Sequence, residues 1–263
     1  MPFPEAKRVV YKKNPLINVI CQLRYPPILR IDSEVPSQFQ EAIRSDYPLY
    51  NERTEVQHEI AAGMKPQFPQ EINVQLTRTG ITKNHEFCSE NGVWRINLTR
   101  TFLSISTSEY HRWEDFVQRF SSSSKKFLEI YNPPFFTRLG LRYVDIFDRS
   151  KLGLEDAHWT DLLQSYSLGL LSSSVSKEVK SCESVYEIKL SDSESIVRIA
   201  TSLVIDARTS RECYMVDSDF YTPKRTPPDK AFDKLEFLHQ RATRLIRWII
   251  TDKLHNAMEP QEI

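Results

Sequence analysis

Glycine is scarce in this chain of 263 residues, six in all, and none stands in GxGxxG or GxxxxGK[ST]. Both motifs bring backbone N–H groups up to a phosphate, so the two common nucleotide cradles are disfavoured. Cysteine is as rare. Cys21, Cys88, Cys182 and Cys213 lie far apart and form no CxxC pair, which removes the usual zinc or dithiol signature and reads as buried free thiols. No run approaches the roughly 18 apolar residues of a membrane span, and the opening MPFPEAKRVVYKK has no apolar signal core. The expected location is therefore the cytoplasm, with no membrane partner. Net charge is also lacking, because 35 basic and 35 acidic residues cancel. Without a global field, a nucleic acid would have to be met by a local patch. GxSxG is missing too, so nothing marks a nucleophile elbow.

What is present is a core-forming composition, 40 % hydrophobic, and a repeated phrase. In NPLINVICQLRYPPIL, Val19, Cys21, Leu23 and Tyr25 alternate with Ile20, Gln22 and Arg24, and Pro26-Pro27 ends the run, which is the pattern of a strand with one apolar face. In TRLGLRYVDIF, Leu139, Leu141, Tyr143 and Phe147 alternate with Gly140, Arg142, Val144 and Ile146. Leu23-Arg24-Tyr25 thus returns as Leu141-Arg142-Tyr143 with the same facing.

The two copies are succeeded by similar runs of elements. After the first come a short helix opened by Pro36, strand-like runs at Glu71–Thr77 and His85–Cys88, a long strand over Val93–Ser106 and a helix from Arg112 to Tyr131. Asn91-Gly92 marks a tight turn, and Asn51 to Pro69 reads as a long loop or irregular hairpin. After the second come a helix near Asp156–Tyr166, strands at Tyr186–Leu190, Ile196–Ile205 and Glu212–Tyr221, and one long helix from Pro228 to His255. The serine run Ser121–Ser124 falls mid-helix and marks a weak or bent turn. The expected class is α+β: two βαβββα-like units, residues 1–134 and 135–263, meeting near Asn132-Pro133-Pro134, with largely antiparallel sheet.

NPLINVICQLRYPPILRI, ISTSEYHRWEDF, RLGLRYVDIF and LHQRATRLIRWIITDKL together resemble a sporadically distributed prokaryotic family of uncharacterised proteins of about this length, over nearly the whole chain. The resemblance implies genes travelling in mobile or defence-related clusters. It brings no catalytic residues with it.

Several fragments invite a chemical reading. Glu178-Val179-Lys180 and Glu187-Ile188-Lys189 match the Glu-x-Lys half of a metal-dependent nuclease site, although no upstream metal-binding Asp is identifiable and solvent-facing strand charges explain them as well. Asp217-Ser218-Asp219 puts two carboxylates on one strand face, a spacing that suits a hard cation or simply opens a turn. His85 and Cys88 are half of a zinc set with no second half. Arg24 and Arg142 are either structural ion pairs, with Asp145 or Glu129 as candidate partners, or paired guanidinium groups for an anionic ligand such as phosphate. On the closing helix Leu238, Ala242, Leu245 and Ile249 form a packing stripe, and Phe237, Arg241, Arg244, Trp248 and His255 an apolar and basic flank. That flank either widens the core face or binds a partner.

The chain therefore reads as a non-catalytic binding or regulatory protein, an accessory subunit contacting another protein or a second copy of itself, with no cofactor and no metal. Nucleic-acid binding through a local basic and aromatic surface is the alternative, and a metal-dependent hydrolase or nuclease the third reading.

Overall fold

The alternation at Val19–Tyr25 forms a strand in the computed structural model, which describes residues 2–58 and 79–262. Its neighbours build one nine-stranded antiparallel sheet. In chain order the strands are β1 (Val9–Tyr11), β2 (Leu16–Arg24), β3 (Leu49–His58), β4 (Thr79–Cys88), β5 (Trp94–Leu98), β6 (Phe102–Thr107), β7 (Arg138–Phe147), β8 (Glu183–Lys189), β9 (Ile196–Ile205), β10 (Glu212–Thr222) and β11 (Pro260–Glu262). The large sheet runs β3-β4-β5-β6-β2-β7-β10-β9-β8, and β1 pairs with β11 separately. The helices are α1 (Arg30–Ser33), α2 (Ser37–Ile43), α3 (Trp113–Tyr131), α4 (Trp159–Leu162), α5 (Ser165–Leu168), α6 (Ala231–Ile249) and α7 (Asp252–Ala257). The class is α+β.

The two copies of the phrase meet at the centre. β2 and β7 are antiparallel neighbours, and Gln22 and Gly140, which each precede the Leu-Arg-Tyr triplet, pair with one another. In each half the first strand also pairs with the last, β2 with β6 and β7 with β10. The halves are not equal, however: among the described residues four strands follow β2 and three follow β7 before the long helix.

One face of the sheet carries the core. Val19, Cys21 and Leu23 of β2 sit opposite Tyr143, Leu141 and Leu139 of β7, and all six are buried. Helices close over them: Tyr25 stacks on Phe127 of α3 at 4.9 Å, Phe39 of α2 meets Phe87 at 5.6 Å, and Leu235, Leu238, Leu245 and Ile249 of α6 are fully buried. The opposite face carries the alternate residues, a solvated side of the kind antiparallel sheets tolerate.

Several expectations need correction. The run from Val93 to Ser106 is two strands, because Thr99 Oγ1 accepts from the backbone N–H groups of Thr101 and Phe102 and turns the chain between β5 and β6. The closing helix is also two: Ile250 is extended (φ −87°, ψ 153°) and bridges to Leu163, and Thr251 caps α7. The helix expected over Asp156–Tyr166 is α4 and the start of α5, separated by extended Leu163 and Gln164. The serine run does not break α3, since Ser123 and Ser124 are buried and the Ser124 hydroxyl donates to the Phe120 carbonyl within the helix. Residues 51–58, expected as loop or irregular hairpin, lie in β3. The run Glu71–Thr77 and the remainder of the stretch up to Pro69 lie outside the described residues. Gly92 takes φ +71° in the turn after β4, as Asn91-Gly92 predicts.

Candidate functional site

Period two decides where the repeated arginines point. Arg24 and Arg142 both leave the sheet on the face away from the helices and are exposed. Asp145, three positions beyond Arg142, therefore lies on the opposite, buried face and cannot be its partner, while Glu129 is exposed on α3. Arg142 is held instead by Asp217 of β10, Nε to Oδ1 at 2.7 Å, with a second parallel bond from Nη2 to Oδ2. This fork on a carboxylate raises the arginine's proton affinity further.

Arg24 has no such partner. Directly across the seam stands Arg138 of β7. Arg138 is tied to Asp219 at 2.7 Å, donates to Gln22 Oε1 at 3.3 Å and lies over the Tyr221 ring at 4.5 Å. Arg24 bonds the same Gln22 Oε1 through Nε at 2.9 Å and, among the described residues, makes no ion pair. Burial and the Arg138 charge together lower its proton affinity. Gly140 leaves room for this arrangement, because a Cβ at that position would push the Arg138 guanidinium aside.

Further out the same face carries Glu86 between Arg53 (3.3 Å) and Arg95 (3.2 Å), and Glu187 against the Tyr221 hydroxyl. The charges on this face are largely paired with one another. Asp217 and Asp219 do share it, but each carboxylate is engaged by a guanidinium. Glu187 and Lys189 project from β8, an exposed outer strand, whereas Glu178 and Lys180 lie in and after a short 3₁₀ turn. Among the described residues no group of three His, Cys, Asp or Glu side chains converges on a metal position. His85 and Cys88 project to opposite faces of β4, and His85 Nε2 bonds the Ile31 carbonyl at 2.9 Å.

The flank of α6 is covered by the chain itself. Trp248 packs between Phe3 (ring centroids 5.3 Å) and Tyr166 (4.3 Å, stacked), and the Tyr166 hydroxyl donates to the Trp248 carbonyl. Arg244 approaches Glu5 at 3.6 Å, and Arg241, itself buried, lies over the Phe237 ring at 3.7 Å. His255 belongs to α7 and bonds the Tyr11 hydroxyl at 2.8 Å. The N-terminal arm thus occupies the surface that sequence spacing leaves open.

Beneath that arm, between β7, β10 and α6, is a cavity of about 90 Å³ that no sequence pattern announced. Tyr11, Tyr110 and Trp113 wall it, with Tyr143, Asp145, Ser218 and His239 at its inner side. The Tyr143 hydroxyl meets His239 Nδ1 at 2.8 Å, and the His239 ring stacks on Trp113 at 4.3 Å. Asp145 is fully buried, and desolvation pushes its carboxyl up to about 8. Burial, followed by the Arg8 charge, lowers His239 to about 3. Asp145 Oδ2 and His239 Nε2 have no hydrogen-bond partner. The signal for this site lay in Tyr143 and Asp145, polar residues at apolar-face positions of a strand.

No known family model matches the chain, and no curated protein matches it.

Proposed function

We propose that the protein is a non-catalytic binding protein, an accessory or regulatory subunit in the cytoplasm that docks on another protein through the open face of its sheet, with Arg24 receiving a carboxylate of that partner. The supporting observation is Arg24 itself: a guanidinium placed directly across from Arg138, with no carboxylate of its own among the described residues. Like charges opposite one another on one sheet face are unfavourable, and proteins keep such local conflicts where binding resolves them. The planar fork of arginine suits a carboxylate, as Arg142 on Asp217 already illustrates.

A protein partner fits better than nucleic acid because the surrounding arginines alternate with Asp217, Asp219 and Glu86, which would repel a phosphate backbone. Phe102, on β6 opposite Arg24, and Tyr221 are the features that favour the nucleic-acid reading, since both could stack on bases. Hydrolysis with a metal has the least support, as Asp217 and Asp219 are already in guanidinium pairs. The scattered occurrence implied by the resemblance suits a subunit of a mobile gene cluster.

Arg24→Glu tests this. The new carboxylate would pair with Arg138, so folding is retained. A protein held by the immobilised wild type from host lysate, and released by raised salt, is expected to be lost at least about tenfold on the variant, while DNA and RNA give no mobility shift. Equal retention by both forms, or nucleic-acid binding with a steep salt dependence, would overturn the proposal.

A further inference from the structure

We propose that the cavity under the N-terminal arm is a binding site for a small primary ammonium ion, whose N–H groups bond Asp145 and whose carbon body lies against Tyr11, Tyr110 and Trp113. Three observations converge. Asp145 is 1 % exposed and its Oδ2 has no partner. Buried polar atoms in folded proteins are bonded in the great majority, so an orphaned carboxylate oxygen beside a cavity marks a place for a donor. The donor is not one of the protein's own cations. Those at the rim are already engaged: Lys7 by Glu262 at 2.8 Å, Arg8 by Glu114 at 2.7 Å, Arg112 by Asp115 at 3.0 Å and Arg247 by Asp252. Finally, the walls are aromatic, and an aromatic face attracts a cation more strongly once water is excluded.

Size limits the ligand. A volume of about 90 Å³ is well below the roughly 150 Å³ that accepts a benzene ring, so about four non-hydrogen atoms fit. A cation held by a carboxylate inside three aromatic walls is a different recognition from the open face. It stands whether or not a protein docks there.

The test uses the full chain at about pH 9, above the value of about 8 to which burial pushes Asp145, and n-propylammonium, with propan-1-ol and propionate as isosteric controls. Propylammonium is expected to raise the melting temperature and to bind at least about tenfold more tightly than either control, a difference a charge-assisted hydrogen bond supplies. Asp145→Asn should abolish that preference. Ala242→Leu, which fills the cavity from α6 and leaves Asp145 in place, should abolish binding of all three. Equal binding of propan-1-ol would mean that apolar filling alone is at work, and tighter binding of propionate would mean that the rim cations dominate. An unaltered response in either variant would place the ligand elsewhere, and no response to any compound would mean that the cavity holds water only. Each of these four results overturns the proposal.

Discussion

Asp145 and His239 face one cavity and act on stability in opposite senses. Burial raises the Asp145 carboxyl from 3.8 to about 8. The native state therefore keeps a proton that the unfolded chain gives up, and stability falls as pH rises from about 4 to about 8, by roughly 1.4 kcal/mol per pH unit. His239 is lowered from 6.5 to about 3. Here the unfolded chain takes a proton that the native state refuses, and stability falls as pH drops from about 6.5 to about 3. Between about 4 and 6.5 the two slopes cancel; above that only the Asp145 decline remains. Asp145→Asn should therefore be more stable than the wild type by a few kcal/mol at pH 8, with the advantage shrinking towards zero at pH 4. Urea melts across that range measure it. Equal stability at pH 8 would show that Asp145 already has a counter-charge in the folded chain.

At the scale of elements, the N-terminal arm is fixed by side-chain packing as much as by strand pairing. Its three-residue strand β1 contributes few backbone bonds, while Phe3 is 2 % exposed against Trp248. Trp248→Ala should lower the unfolding free energy by about 2–3 kcal/mol, short of a fully buried tryptophan because the ring is half-buried. Phe3→Ala should cost a similar amount, and the double variant less than the sum, with a coupling of about 0.5–1.5 kcal/mol. Additive losses would place the two rings in independent environments. This contact explains why the α6 flank could not be read from spacing alone. Helical periodicity identified Leu238, Ala242, Leu245 and Ile249 as buried, but it carries no information on what a segment more than two hundred residues away lays over the next stripe. The β strands were more legible because alternation and facing are local. Where they were misread the cause was also local: Thr99 turns the chain inside Val93–Ser106, β3 runs on through residues 51–58, and the Arg142–Asp145 pair ignored the parity that the same alternation imposes. The cavity was illegible for another reason: Tyr110, Tyr143 and His239 come from a loop, a strand and a helix, and only the fold brings them together.

At the scale of the molecule, the β2/β7 seam binds the two halves into one sheet. Separating them after Asn132 would expose Cys21, Leu23, Leu139 and Leu141 together with the backbone of both central strands. Exposed apolar edges of that kind aggregate. Residues 1–132 and 133–263 made separately should therefore be insoluble or unfolded, should recover structure when co-expressed, and the intact chain should unfold in one transition. Circular dichroism on the separate halves decides this, and a stable, cooperatively folded half would show instead that the units are independent domains.

The proposed binding role rests on the open face and on one arginine at its centre, and side-chain NMR can observe that arginine directly. The arginine Nε–Hε signals of the intact chain, titrated with a short polyglutamate peptide and separately with a single-stranded oligonucleotide, report which anion the face accepts. Docking of an acidic protein segment predicts a saturable shift of Arg24, accompanied by Arg138, with the peptide. That shift should fade in high salt, while Arg8 and Arg247 on the other side of the sheet stay still. A response confined to the oligonucleotide, or an Arg24 signal that neither ligand moves, would contradict it.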